Sequence, residues 1–436
     1  MHAVAIFSIL SVLLVLGKAL RVRIPLLQRL YLPSSVVGGL IGLVLLCAFR
    51  ASVPPEIVDG MRLLPGFLIN VIFATLFLGV GLPKMHDFAS AVFRQLTLAQ
   101  IVVWGQYVVG VGLCGFLLVP LFGVHPAFGN LLELGFEGGH GTVGGMSQAF
   151  SAKGWKDGIA LGYTVATVGM IVGVVLGMAL VNWAYRRGIV KSVRPFSMRT
   201  EAERRGILLP EDRPSAGLQT VAADSVDSLA WHIAIVGLSV LIAWGLWRLV
   251  PLQGFPLFPL CMIGGVILQG LARCCHVDLL IDRDQMARIS GAALDFLALS
   301  AIATIEISVV LANWMPLTVM ILGGVAWTVF AVLFFGPRLF RDAWFERAIA
   351  EFGQATGVTA TGLLLLRTVD PESKTSASAS FAGKQLLHEP AMNLWVALAF
   401  ELIFTIGWLK VFWICAGMLA AWLVVFLFLA RRTAPR

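Results

Sequence analysis

Apolar residues in this chain come in long blocks. The blocks lie near residues 3–20, 34–50, 65–82, 97–120 and 158–185, and again near 228–250, 256–272, 289–311, 314–336, 388–407 and 411–430. A bilayer's hydrocarbon core takes about 20 apolar residues per helix, so the pattern predicts five spans, an interruption, and six more. The interruption, from about residue 186 to 227, is rich in charge and carries Pro195, Pro210 and Pro214, and it reads as a cytoplasmic linker. The first block has no basic residue ahead of it and no small-residue cleavage signal, so it is expected to remain as a helix.

Composition agrees. Of 436 residues, 58% are hydrophobic and 13% are charged, against roughly 25% charged in soluble domains. Too few polar side chains are present to cover a globule in water, so the chain is expected to be an all-α integral membrane protein. The six cysteines show no zinc or disulfide spacing, and Cys274, Cys275 and His276 form only one short cluster. No cofactor or structural metal is expected.

The basic residues orient the spans. Cytoplasmic loops collect Lys and Arg, and with the N-terminus outside, 26 of the 32 basic residues fall inside, Arg338 to Lys384 contributing six of them. Only Arg50, Arg62, Lys153, Lys156, Arg248 and Lys410 fall outside, and the C-terminus is cytoplasmic. The formal charge of +8 therefore follows membrane topology and does not point to nucleic acid.

The two halves share punctuation. Pro33 precedes the pair Gly38-Gly39 by five residues, and Pro259 precedes Gly264-Gly265 by five, at an offset of 226. Gly66 precedes Asn70 by four and Gly291 precedes Asp295 by four, at an offset of 225; Phe136 and Gly141 match Phe352 and Gly357 at 216. Five spans separate equivalent points, so the second half enters the membrane upside down, the plan of many secondary transporters. The expected organisation is a first repeat at 1–185, the linker at 186–227, an inverted second repeat at 228–409, and an extra helix with a basic tail at 410–436. Each repeat holds five transmembrane helices.

Between spans four and five, residues 127–150 include Glu137-Gly138-Gly139-His140-Gly141-Thr142, too polar and glycine-rich for a lipid-facing helix yet flanked by apolar sequence. The matching stretch, about 343–365, contains Gly353-Gln354-Ala355-Thr356-Gly357-Val358-Thr359 and Gly362. Re-entrant hairpins fit both, because irregular backbone at membrane depth needs protein or a water-filled cavity around it. Entering from opposite sides, their tips would meet near the midplane. Half-helix N-termini favour an anion, and nearby carbonyls and hydroxyls suit Na⁺. His140 either titrates or contacts substrate, or else pins the hairpin. Arg367, after the second hairpin, either clamps a carboxylate or is an ordinary cytoplasmic charge. Asn70 and Asp295 hold symmetric positions and supply cation oxygens or helix-to-helix hydrogen bonds.

On Tyr31 to Gly42, Phe73-Ala74-Thr75 with Gly79, Gly138-Gly139-His140-Gly141-Thr142, and Gly353 to Gly362, the chain resembles the bacterial sodium/glutamate symporters, in order through about Gly407. The resemblance implies a ten-helix inverted repeat with two re-entrant hairpins, a homodimer in the bacterial inner membrane, and an elevator-type movement coupling inward Na⁺ flow to glutamate uptake. It assigns the hairpin role to Gly138, Gly139, His140, Gly141 and Thr142, and to Gly353, Gly357, Thr359 and Gly362.

Two departures bear on the substrate. Glu137 stands where the family has a small hydroxyl residue, and Gln354-Ala355-Thr356 replaces a more glycine-rich stretch. An added acid beside an anion site repels a dicarboxylate. Three resolutions remain: Glu137 ligates the coupling cation, it is protonated and couples transport to H⁺, or the substrate is less acidic than glutamate. The expected binding set is Gly138–Thr142 with Gln354, Thr356, Gly357, Thr359 and Arg367, and the ion-coupling set is Glu137, Asn70 and Asp295. A proton-coupled carrier is the main alternative. An intramembrane hydrolase lacks its zinc and serine motifs, and a channel explains two unlike hairpins less well.

Overall fold

The computed structural model describes residues 2–30, 32–49, 53–80, 89–190, 200–249, 256–370 and 375–431. Tyr31, Arg50 and linker residues 191–199 lie outside the described residues.

Every regular element among the described residues is helical. The chain opens with α1 (His2–Arg23), α2 (Pro25–Arg29), α3 (Ser34–Phe49) and α4 (Pro55–Thr75). Next, α5 (Ala89–Leu113) runs through a π-turn into α6 (Val119–Phe122), which stops where Gly123 adopts a left-handed C-cap at φ 63°. A 3₁₀ turn at Pro126–Asn130 leads into α7 (Leu131–Phe136), α8 (Gly139–Gly145) and α9 (Ser147–Ala152), then α10 (Asp157–Arg186). The linker contributes α11 (Glu201–Arg205), and α12 (Ser228–Trp247), α13 (Phe258–Cys274), α14 (Arg283–Ala303) and α15 (Ile307–Ala312) follow. Last come α16 (Trp314–Leu339), α17 (Trp344–Val369), α18 (Ala377–Ile406) and α19 (Trp408–Arg431). Ten described helices are long and apolar enough to cross a membrane, and α3 and α13 are shorter apolar helices. The protein is a multi-pass membrane protein.

Some helices start well before the apolar block that predicts them. α4 begins at Pro55, where a missing N–H is harmless in the first turn. α18 begins at Ala377, eleven residues ahead of its block, and so takes Lys384 into a helix. Lys384, counted above among cytoplasmic loop charges, is fully buried at 0% exposure, and Arg347 is buried as well. Hydropathy misses such a face because protein polar groups, rather than lipid or water, cover it.

The helices form two compact units, and each draws on both sequence halves. The first comprises Met1–Leu82, His140–Ile159 and Thr200–Ile305; the second comprises Pro83–Gly139, Ala160–Arg199 and Glu306–Arg436.

Within the first unit α3 packs on α1 and α14, and α13 packs on α12 and α4. The two glycine pairs permit this. A Cβ on Gly38 would lie 2.5 Å from Leu13 O of α1, and one on Gly39 2.8 Å from Ile302 Cβ of α14. Likewise a Cβ on Gly264 would lie 2.3 Å from Ser239 O of α12, and one on Gly265 2.6 Å from Ala74 O of α4. No side chain fits such gaps, so Gly38, Gly264 and Gly265 meet neighbouring backbone directly, and Gly39 makes room for Ile302. In each pair the first glycine meets the preceding long helix and the second meets a helix from the other half.

Within the second unit α5 packs against α16, α17, α18 and α19. Its apolar core includes Leu98, Val181, Ala331, Phe352 and Phe381. Against that core sits the polar cluster described next.

Candidate functional site

The segment 344–369 is not a straight helix. Val358 has φ 64° and ψ 169°, a region where a β-branched residue is a genuine outlier. Gly353 and Gly362 would be about 13 Å apart along a straight helix, yet a Cβ on Gly353 would lie 2.7 Å from Gly362 Cα. The chain therefore reverses, and α17 is two antiparallel arms with Gly357 and Val358 at the tip. Gly357 faces Met170 of α10. Thr356 Oγ1 donates to Phe352 O (2.7 Å), and Thr361 Oγ1 donates to Gly357 O, so the hydroxyls tie down the arms beside the tip. Backbone strain of this kind costs on the order of 1–3 kcal/mol and persists where the surroundings fix it.

A second break follows α7. The amides of Glu137 and Gly138 both donate to Glu133 O, at 3.0 and 3.3 Å, and then Gly139 turns left-handed at φ 65°.

Around the α17 arms, in the second unit, buried and half-buried polar side chains form one continuous network. Lys384 Nζ donates to Glu351 Oε2 (3.0 Å) and Gln354 Oε1 (2.9 Å). An ammonium only donates, so it orients Gln354, whose Nε2 then donates to Glu137 Oε1 (2.8 Å) and Gln385 Oε1 (3.3 Å). Gln385 Nε2 passes the direction on to Thr359 Oγ1 (2.9 Å) and Glu389 Oε1 (3.2 Å). Thr359 Oγ1 and Asn393 Nδ2 also donate to the Glu389 carboxylate, at 2.9 and 3.1 Å. Gln95 Nε2 donates to Glu351 Oε1 (2.7 Å).

An indole orients the other branch. Trp104 Nε1 donates to Gln100 Oε1 (2.7 Å), which leaves Gln100 Nε2 to donate to His388 Nδ1 (3.1 Å). His388 therefore carries its hydrogen on Nε2 and donates it to Glu137 Oε1. Starting from two groups that can only donate, every amide and ring orientation follows. Such a network is rigid when complete, and removing Lys384 leaves Glu351 as an uncompensated buried charge.

Beside it, Tyr107 Oη donates to Glu133 Oε2 (2.6 Å). Trp104, Tyr107 and Trp395 form an aromatic cluster, with Trp104 and Trp395 centroids 5.0 Å apart. Both amide atoms of buried Asn130, and Trp395 Nε1, lack a hydrogen-bond partner among the described residues.

The network gathers Glu137, Gln354 and Thr359; Thr356 and Gly357 lie at the tip, and Gly138 sits at the first break. Arg367 is exposed and outside the network. His140, Gly141 and Thr142 belong to the first unit, where His140 and Thr142 are buried. So do Asn70 and Asp295: Asn70 Nδ2 donates to Gly66 O (2.8 Å), its Oδ1 accepts from Cys261 Sγ (3.7 Å), and Asp295 is exposed on α14.

Sequence reasoning missed Lys384, Gln385, His388, Glu389, Glu351, Gln95, Gln100, Tyr107, Glu133 and Asn130. A signal existed in the helical spacing of Lys384 with His388, of Gln385 with Glu389 and Asn393, and of Glu133 with Glu137. It was hidden because the first two sets precede or open the apolar block at 388–407.

A family model described as sodium/glutamate symporter matches residues 1–343. Two sodium/glutamate symporters, from Haemophilus influenzae and Escherichia coli, are each 25% identical to the chain, over 187 and 166 residues. Those stretches cover 41% and 38% of this chain, and 44% and 40% of the relatives. The chain thus matches less than half the length of these relatives. The family match ends just before α17, so α17, α18 and α19 lie beyond it.

Proposed function

Because the chain belongs to the sodium/glutamate symporter family, we propose that it is a secondary active transporter coupling inward Na⁺ flow to uptake of glutamate or a related anionic carboxylate. The observation that carries this reading is the oriented network ending at a strained helical reversal. The second α17 arm starts at the tip, so its first amides lie where a small anion would be held, and the Thr359 hydroxyl, which donates to Glu389, would turn from that carboxylate to meet it. Gln354, Thr356 and Gly357 complete that side, and Gly138 and Gly139, at the first break, belong to the same unit. Glu137 does not oppose the anion as a bare charge, because His388 and Gln354 both donate to it and Lys384 lies one residue further along the network.

In this reading both broken segments are re-entrant, the halves form an inverted repeat of five plus five spans with α19 added, and a homodimer works by an elevator-type movement. The equivalent contacts of the Gly38-Gly39 and Gly264-Gly265 pairs support the repeat. The N-terminus is outside and the C-terminus cytoplasmic, in the bacterial inner membrane.

The test is uptake of labelled glutamate into proteoliposomes with and without an inward Na⁺ gradient, alongside a panel of carboxylates. Accumulation that needs the gradient and prefers one anion supports the reading; flat uptake across the panel refutes it. The His388–Glu137 contact favours a second reading, proton coupling, under which a pH gradient in choline medium drives uptake as well as Na⁺ does.

A further inference from the structure

Two buried anomalies lie side by side on the second unit. Glu133 is 2% exposed, and among the described residues its carboxylate accepts a hydrogen bond from the Tyr107 hydroxyl. No Lys, Arg or His lies within ion-pair distance of it among the described residues. An ionised carboxylate so far from water is strongly destabilised unless it meets a cation or a proton. A second carboxylate, Glu137, follows one helical turn later, its amide donating to Glu133 O. Glu137 is occupied by His388 and Gln354, and Lys384 is committed to Glu351 and Gln354.

Asn130 is the second anomaly. It ends the 3₁₀ turn with φ −69° and ψ −20° and leads directly into α7. Three residues of helical backbone place it on the same side of the chain as Glu133. It is 6% exposed, and neither Oδ1 nor Nδ2 has a partner among the described residues. Leaving a buried amide unmatched costs about 1–3 kcal/mol per group. A proton on Glu133 removes its charge and adds one O–H donor. A cation takes the carboxylate and the amide oxygen together, and leaves Asn130 Nδ2 as a donor beside them.

We propose that Glu133, Asn130 Oδ1 and Tyr107 Oη form a binding site for a single monovalent cation, Na⁺, on the α5–α7 side of the network. Hard cations take oxygen ligands, and one carboxylate with two neutral oxygens balances a single positive charge. Asn130 Nδ2 stays a donor on the same side, which suits an anion travelling with the ion. The choice of Na⁺ over K⁺ rests on the transport reading above; the site itself rests on the buried groups.

The test is thermal unfolding of the purified full chain in detergent, without glutamate, in NaCl, KCl or choline chloride at equal ionic strength. A ligand that binds the folded state raises Tm with its concentration. The wild type is expected to show a saturable rise of several degrees in NaCl over choline. Glu133→Gln and Asn130→Ala are expected to lose it, and Glu133→Asp, which keeps a carboxylate, to recover part of it at higher Na⁺. A wild type indifferent to Na⁺, or a Glu133→Gln variant that responds like wild type, overturns the proposal. Should Glu133→Gln not fold, Asn130→Ala decides in the same way. Failure here is separable from failure of the transport reading. Na⁺-driven uptake by wild type with an unaltered Tm response in the variants sinks only the site. A Tm response lost in the variants, without Na⁺-dependent glutamate uptake, sinks only the reading.

Discussion

The two units bring helices together by opposite means. In the first, the Gly38-Gly39 and Gly264-Gly265 pairs strip the contact to bare backbone, and the helices touch where no side chain fits. In the second, α7, α17 and α18 meet through long polar side chains, with Lys384, Glu351, Gln354, Glu137 and His388 all engaged. A glycine contact specifies distance and little else. A polar network specifies which donors face which acceptors, and an arriving ion or anion can rearrange it. The contrast assigns scaffolding to the first kind of contact and ligand response to the second.

The largest expected effect comes from cutting the network at its cation. Lys384→Ala leaves Glu351 buried without its counter-ion, a loss of about 3–5 kcal/mol, seen as a collapse of folded yield and of uptake. Replacing both partners, Lys384→Met with Glu351→Met, is expected to recover most of the stability while uptake stays lost. Recovery of uptake in that double variant would make the pair merely structural and would break the contrast.

Next in size is the opposite intervention. Gly265→Val overfills the α13–α4 contact and is expected to lower stability by about 1–3 kcal/mol, read by Tm. Uptake per folded molecule should hold near wild type, since no ligand contact changes. A variant that folds well but cannot transport would show that the glycine contacts also move.

A subtler change, Gln100→Leu, frees His388 Nδ1 from its donor and leaves the ring orientation unset. The expected loss is about 1 kcal/mol of stability, with a shift in the pH profile of uptake that a purely structural residue would not produce. An unaltered pH profile would remove His388 from the working part of the site. Smallest of all, Val358→Gly relieves a left-handed β-branched residue and is expected to raise stability by about 1 kcal/mol, measured by Tm, with weaker apparent substrate affinity from a looser tip. A drop in Tm would mean that the Val358 side chain contributes more by packing than its backbone loses by strain.

Much of the frame is legible from sequence because lipid imposes a simple rule. Long apolar blocks become helices, and the prolines and glycine pairs at matching offsets mark contacts that turn out to be equivalent. The segment with Gly357 and Val358 also announces itself by composition. The network does not, because Lys384 and Glu351 look like ordinary loop or helix charges until burial and pairing are known. Asn70 and Asp295 show the converse limit. Their offsets match, yet Asn70 donates to Gly66 O of its own helix and accepts from Cys261 Sγ of α13, whereas Asp295 is exposed: a matching offset does not fix what a side chain meets.

The central claim is that the oriented network at the α17 reversal handles the anion. The most direct measurement compares wild type with Gln354→Leu in proteoliposomes, after equal folded amounts are confirmed by size-exclusion chromatography. Gln354 joins both branches, so wild type should concentrate labelled glutamate under an inward Na⁺ gradient while the variant falls at least tenfold. Equal initial rates from the two proteins would contradict it.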